Sequence, residues 1–550
     1  GKDFVLSLEV KGDVLSTTDW HAEGYLQTQK IQLSEVLKRL DIDEFEIERG
    51  VGDVEIWSQW GAAELSRVRG KVHIDEARML QKQTNLTVKN VSGLFDWEKL
   101  AHGWQLKTNE FAFKTDEVQQ PKSQFSVQYE RVSDTDKLMN ITADGVDIQA
   151  VSNILKQSKL LKEEQYTLLH KLNPSGTLNN AYFSFKTSTE GDAWASCGKL
   201  DGFSNEAMDS IPAIKNFSSA GCSSKTEGWL DINTQKGSVD FKKLFRDSLL
   251  LDGLSGRLTW SHDVDGWQLK SDEMKVDTPH IATTTRFSTS IPAEGKPVLL
   301  ELVSNFGVAD AIHVPKYLPV GIMGDGVVGW LDAAFKGGQT IGGGVLLKGA
   351  LKDFPFKNNE GLFQVLFNTK QVNLHYADDW PNLLDVAAEV EFKNEGVTIV
   401  SSQGVVAGNA IQQAKVEVSD LEKDHYLSIF GVINDKLPGL YDFFKQSPLK
   451  QSVGGLLDHS DVTGLADVTL DIKIPLRKGL KADVNAHAKV TNGKMTFPDL
   501  GESIQSLNGE LKYGQQGLRA TSVKGEVLGE PVLIDIYPDK NNTIIFAKGN

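Results

Sequence analysis

Apolar and polar residues alternate along most of this chain. Val345 and Leu347, then Phe363, Val365 and Phe367, then Val372 and Leu374 recur at every second position. Val468, Leu470, Ile472 and Ile474 do the same between Thr469, Asp471 and Lys473. A period of two is that of strands with one apolar face, and residues 4–10, 24–33 and the run Val54, Ile56, Ser58, Trp60 read alike.

In four places the period lengthens to that of a helix. Leu33, Val36, Leu37 and Leu40 predict about two turns near residues 33–40. Ile148, Val151, Ile154, Leu155, Leu161, Tyr166, Leu168 and Leu169 predict a helical pair or bent helix, ended by Asn173 and Pro174. Residues 314–323, broken by Pro and Gly, predict a helical turn and a bend. A short helix over Gly329–Phe335 follows, stopped by Gly337 and Gly338. Leu440, Phe443, Phe444, Leu449, Val453, Leu456 and Leu457 predict the last helical segment. Each segment precedes strands, so four modules are expected: 1–145, 146–305, 306–435 and 436–550.

A second repeat is visible in the letters themselves. VSGLFDW at Val91–Trp97 with GWQLK at Gly103–Lys107 matches LSGRLTW at Leu254–Trp260 with GWQLK at Gly266–Lys270 at the same spacing. Looser copies surround Phe392 and Gly396, and Tyr513 and Gly517. Each reads as a hairpin: an aromatic closes one strand, Gly supplies the turn, and an apolar residue opens the return. Units of this kind lean on their neighbours to bury an apolar face, so the chain reads as a long array. About thirty strands at ~4.8 Å would make a sheet on the order of 140 Å.

The apolar side of such a sheet must meet a second sheet, helices or something foreign. Helical text is too sparse to cover it. A stacked sandwich or a curled, open trough remain as the two solutions, and alternation alone does not choose.

Composition sharpens this picture in three ways. With 550 residues, 50 glycines and 40% apolar residues, the chain is too long for one core and suits strands punctuated by turns. Its net charge of −16 disfavours nucleic acid or an anionic membrane surface as partner. No stretch approaches the roughly eighteen apolar residues of a membrane span, and none has a signal-peptide layout. The start at Gly1 suggests a fragment or processed product. Cys197 and Cys222 stand in a Gly- and Ser-rich segment, either bonded, which would fit an oxidising compartment, or as two thiols.

Motifs for chemistry fail on context. Gly324, Gly326 and Gly329 match a dinucleotide fingerprint, but no strand precedes them and no βαβ unit surrounds them. The histidines are scattered without metal-ligand spacing, so no metal site is expected. Acid pairs such as Asp378 with Asp379, or Asp41 with Asp43, could imitate a glycosidase dyad, yet acids on solvent faces are ordinary at this composition. Trp97, Trp104, Trp260 and Trp267 fit hairpin anchors better than sugar platforms. No cofactor is implied. Gly342–Gly344 would suit a bulge or a hinge.

Tyr317-Leu318-Pro319, Trp330-Leu331, GALKDFPF at Gly349–Phe356 and Trp380-Pro381-Asn382-Leu383 resemble the signature of the YhdP branch of the AsmA-like envelope proteins of Gram-negative bacteria. That resemblance implies a mostly β fold: a long, twisted antiparallel sheet curled into an open, apolar-lined groove, with short helical segments between groove repeats. It implies no catalysis, but phospholipid transport between inner and outer membrane, acyl chains being sheltered in a β-groove that spans the periplasm. Val345, Leu347, Phe363, Val365, Phe367, Val372, Leu374, Val468, Leu470, Ile472 and Ile474 would line it. The partners implied are phospholipid, the inner membrane through an anchor outside this chain, and the outer membrane or its proteins, with no nucleic acid. The rival is a self-packed β scaffold or adhesin without a lipid ligand.

Overall fold

Alternating text becomes strand because one face can then be buried while the other stays in water. In the computed structural model, residues 4–13, 20–32, 34, 46–61, 64–81, 84–116, 118–158, 161–189, 191–209, 211–293, 295–421, 423–447, 450, 459–476, 480–539 and 542–549 are described. Strand makes up 71% and helix 11%, and the sheet is antiparallel and not closed into a barrel. Two compact units divide the chain: Gly1–Lys242 with Ser248–Val276, and Lys243–Asp247 with Asp277–Asn550.

The first unit is a meander. Phe4–Gly12, Trp20–Gln32, Glu46–Gly61, Glu64–Gln81, Thr84–Leu100, Gly103–Lys114, Gln119–Arg131 and Lys137–Asp144 each pair antiparallel with the next. Two helices follow, α1 (Ile148–Ser158) and α2 (Glu163–Leu172). Asn173 ends α2 in the left-handed region at φ 41°, its N–H donating to Leu169 O. Ser175–Thr187 then pairs with Lys137–Asp144, so the helices form an excursion from a sheet that closes up behind them. Ile154 of α1 packs on Ala77 and Val88 of that sheet. Ala193–Asn205, Ala213–Ser224, Glu227–Asp240 and Leu249–Asp263 continue the meander. Cys197 and Cys222 stand opposite each other in it, their sulfurs bonded at 2.14 Å.

The second unit repeats the plan from Ala282–Pro292 to Asn542–Gly549, fourteen strands each paired with the next. The broken text at 314–323 forms two 3₁₀ turns, Ala311–Tyr317 and Val320–Ile322. The helix after them, α3, spans Asp325–Ala334, starting earlier than the spacing predicts and running directly into a strand at Phe335. Gly337 and Gly338 therefore do not stop it. They lie at register shifts inside the strand Phe335–Ala350, where φ is 155° and 104°. The fourth helix, α4, is Leu437–Lys445. The helical positions expected at Leu33, Val36, Leu37, Leu40, Leu449, Val453, Leu456 and Leu457 lie outside the described residues.

Three of the predicted hairpins are present as pairs of consecutive strands, and the fourth as two consecutive strands joined by a two-residue turn. Leu100 opposes Gly103, Lys393 opposes Gly396 and Gly514 opposes Gly517, while Val264 and Asp265 form the turn between Leu249–Asp263 and Gly266–Asp277.

A feature that alternation conceals recurs in strand after strand. Lys30, Asn180, Asn216, Asp385, Asn492 and Ser522 have left-handed backbones (φ 47–55°) within strands, each at a bulge where the register slips. The N–H of each is turned off the ladder and taken by a short polar side chain of the neighbouring strand. Lys30 donates to Asp53 Oδ1 at 2.9 Å, Asn180 to Asp144 Oδ1 at 2.8 Å, Asn216 to Ser204 Oγ at 3.0 Å and Ser522 to Asp535 Oδ1 at 2.7 Å. Bulges of this kind bend a strand and increase its twist, which curls a sheet.

Bulky residues on the apolar face are accommodated by glycine notches. A Cβ on Gly343 would lie 2.4 Å from Phe367 Cβ and 2.6 Å from Phe306 Cζ, and those two rings sit 6.2 Å apart above it. Gly343→Leu should therefore lower stability by about 1–3 kcal/mol through overpacking. Gly307→Ala, where a Cβ meets nothing within 4 Å, should leave the urea midpoint nearly unchanged; equal midpoints for both variants would contradict the notch.

Candidate functional site

The expected lining residues fall into two neighbourhoods of the second unit. In the first, Val345 opposes Ser304 and Val365, Leu347 opposes Leu302 and Phe363, and Phe367 opposes Gly343 and Val390. Directly opposed residues share a face, so these five side chains form one half-buried apolar surface. Past the bulge at Asn368/Val372, Val372 opposes Val386 and is buried with Ala311 and Ala388, and Leu374 packs against that cluster.

In the second neighbourhood the strand Asp461–Pro475 is buried at Ala466, Val468, Leu470, Ile472 and Ile474 and exposed at every residue between them. Leu427, Ile433, Val484, Ala486 and Val490 of the flanking strands join the same cluster, and Leu440 and Phe443 of α4 pack onto it together with Trp380. Part of this apolar face is thus covered by protein, and Leu470, Ile472 and Ile474 are side chains of a packed core.

Farther along the sheet the cover ends and a cavity of about 190 Å³ opens. One wall is the face of α4 that carries Leu437, Tyr441 and Phe444; the opposite wall comes from the last six strands, with Val468, Leu507, Leu511, Val523 and Ile536 among its residues. The walls are almost wholly hydrocarbon. Water needs two to four polar partners in such a space, and these walls offer nearly none, so the chemistry that fits is an alkyl chain. Val468 is the one predicted lining residue on this cavity.

Part of the remaining wall escapes a period of two for a physical reason. Leu507 and Leu511 are separated from Ile504 by the left-handed Ser506, and Val523 from Ala520 by Ser522. Each bulge adds one residue, so apolar positions three apart come to share a face. The recognisable signal is a short polar residue interrupting an alternation that resumes in the opposite phase.

Ion pairs cross between neighbouring strands of the first unit. Arg67 grips Asp96 through Nε and Nη2 at 2.9 and 2.5 Å, and Arg257 grips Asp231 in the same two-pronged way. Those hydrogen bonds hold both carboxyls below the usual carboxylate range.

The signature residues act as joints. The Tyr317 hydroxyl lies 2.7 Å from Thr278 Oγ1 and 2.9 Å from His280 Nδ1. Trp330 Nε1 donates to the carbonyl of Tyr376 at 2.9 Å, tying α3 to the segment before Trp380. Phe356 is fully buried, and a Cβ on Gly349 would meet its ring at 2.6 Å. Tyr376, Trp380, Phe443, Phe444 and Tyr513 form a file of ring contacts 5.9–6.1 Å apart, and burial pushes the Tyr376 phenol far above its ordinary value. Among the described residues no group of three or more His, Cys, Asp and Glu could hold a metal ion, and no helix is long and apolar enough to cross a membrane.

Comparison with known proteins places the chain among relatives. The family model for the YhdP protein matches residues 2–550. The chain is similar to a protein of Escherichia coli strain K12 named intermembrane phospholipid transporter YhdP, with 24% identity over 327 residues. The match covers 59% of this chain and 25% of that protein, so the chain spans about a quarter of its length. No solved structure matches.

Packed and open parts of the apolar face should respond differently to truncation. Ile472→Ala, in the packed part, should cost about 2–5 kcal/mol. Leu518→Ala, on the half-buried cavity wall, should cost less than about 1.5 kcal/mol because no closed void is created. Urea denaturation of both variants decides; equal losses would mean that the cavity wall is sealed in solution.

Proposed function

We propose that this chain, which belongs to the YhdP family, is a stretch of a phospholipid conduit in which acyl chains travel along the apolar face of the sheet. The observation that carries the reading is the hydrocarbon-walled cavity between α4 and the last six strands. Exposing a methylene costs roughly 0.8 kcal/mol, so a phospholipid with about thirty of them meets a barrier on the order of 20 kcal/mol in crossing water. A continuous apolar lining removes most of that cost and calls for no reactive group.

The groove runs over Val345, Leu347, Phe363, Val365, Phe367, Val372 and Leu374 and over the strand of Val468, Leu470, Ile472 and Ile474, where α4 covers part of it. The four stretches 1–145, 146–305, 306–435 and 436–550 are repeats of this groove, the last three each led by a helical segment. In the whole protein the conduit spans the periplasm between inner and outer membrane, anchored in the inner membrane by a segment outside this chain, and it performs no catalysis. The relative's name as an intermembrane phospholipid transporter supports this placement.

A self-packed scaffold is the rival, favoured locally by the core around Leu470, Ile472 and Ile474. Native mass spectrometry of the purified chain separates the two. Phospholipid should co-purify, and Leu511→Glu, which sets a charge on the cavity wall, should reduce it at least about tenfold while the far-ultraviolet spectrum stays β. Absence of lipid from the unaltered chain, or lipid unaffected by the charge, would leave the scaffold.

A further inference from the structure

A second cavity, about 840 Å³ and open to solvent, lies at the C-terminal end of α4. Unlike the first, it is polar. His375, Asp379, Asn382, Lys445, Gln446 and Lys450 supply its charged and amide groups. Lys445 Nζ stands 4.6 Å above the ring of Tyr441, a residue that also lines the apolar cavity. His375 Nε2 is 3.1 Å from Asp378 Oδ1, and its Nδ1 is 3.0 Å from Asn382 Oδ1.

The two cavities are neighbours on one short helix. Leu437, Leu440, Tyr441 and Phe444 give one face of α4 to the apolar cavity, while Lys445 and Gln446 at its end border the polar one. Nine residues of helix span only about 13 Å. Trp380, on the polar rim, touches Phe443, and Phe443 touches Phe444 on the apolar wall. An amphiphile can therefore place its tails beside one end of this file of rings and its head beside the other.

The signs of charge narrow the head. Two lysines with amide donors suit a phosphodiester oxygen. Asp379, together with the carbonyls that end α4, sets negative potential on the same rim and would repel a bare anion. Both signs are satisfied by a head that carries a cationic amine next to its phosphate. We infer that this polar cavity is a headgroup site for a zwitterionic aminoalkyl phosphodiester, holding a phospholipid whose tails enter the adjoining apolar cavity. The inference rests on the lipid-conduit reading and adds to it a place where the head is recognised.

The test uses the chain as it stands with two soluble short-chain probes, dihexanoyl phosphatidylethanolamine and the headless dihexanoylglycerol, followed by calorimetry. Lys445→Gln with Lys450→Gln should weaken the phospholipid about tenfold or more, the size of one lost charge-assisted contact, and leave dihexanoylglycerol binding as it was. Leu511→Glu should weaken both. Glycerophosphoethanolamine should compete with the phospholipid, and inorganic phosphate at the same concentration should not. Unaltered phospholipid binding by the lysine variant, with both probes still lost in Leu511→Glu, overturns the headgroup site and spares the conduit. Equal competition by inorganic phosphate overturns the zwitterion. If the unaltered chain binds neither probe, both readings fall.

Discussion

A sheet with one apolar face has to have that face met, and everything else in this protein answers to that demand. The strand Asp461–Pro475 buries Val468, Leu470, Ile472 and Ile474 on one side and exposes Thr469, Asp471 and Lys473 on the other. Helix amounts to a small part of the chain and covers only patches. Where α4 and Trp380 lie on the sheet, Leu470, Ile472 and Ile474 become interior side chains. Where the cover stops, the same kind of face borders a cavity whose walls offer water almost no polar surface. Sealed core and open wall are thus two fates of one pattern, decided by what sits above it.

Much of this could be read in the letters. Period two located the strands around Val345, Phe363 and Val468, and the helical spacing from Ile148 to Leu169 became α1 and α2 with Asn173 as their stop. The first GWQLK segment, Gly103–Lys107, lies antiparallel to the strand before it, as a meander requires. Less legible was the cavity. Part of its wall depends on bulges at Ser506 and Ser522, where the alternation breaks off and resumes in the opposite phase, so a fixed period of two does not carry through. Nor could spacing tell that Ile472 would be covered and Leu511 not. That difference comes from α4, a helix folded onto the sheet from a neighbouring position in the chain but packed against residues far beyond it.

The glycine notches and the bulges cooperate. Bulges bend each strand, and a bent sheet crowds the side chains on its inner face. Glycines such as Gly343 and Gly349 relieve the crowding by letting Phe306, Phe367 and Phe356 lie against backbone. The rings of Phe306 and Phe367 thus pack directly over Gly343, and the fully buried Phe356 packs over Gly349.

Pairing strictly between successive strands also bears on how such a long chain can be made. Among the described residues no strand pairs with one from the far end of the sequence; even the gap left by α1 and α2 is closed by the strand Ser175–Thr187. Partners are close in sequence except across the helical excursions, so order can spread hairpin by hairpin from wherever it first appears. A polypeptide delivered end first as a thread can in this way fold behind its own leading end, with each new strand docking on the edge that the previous one has just exposed.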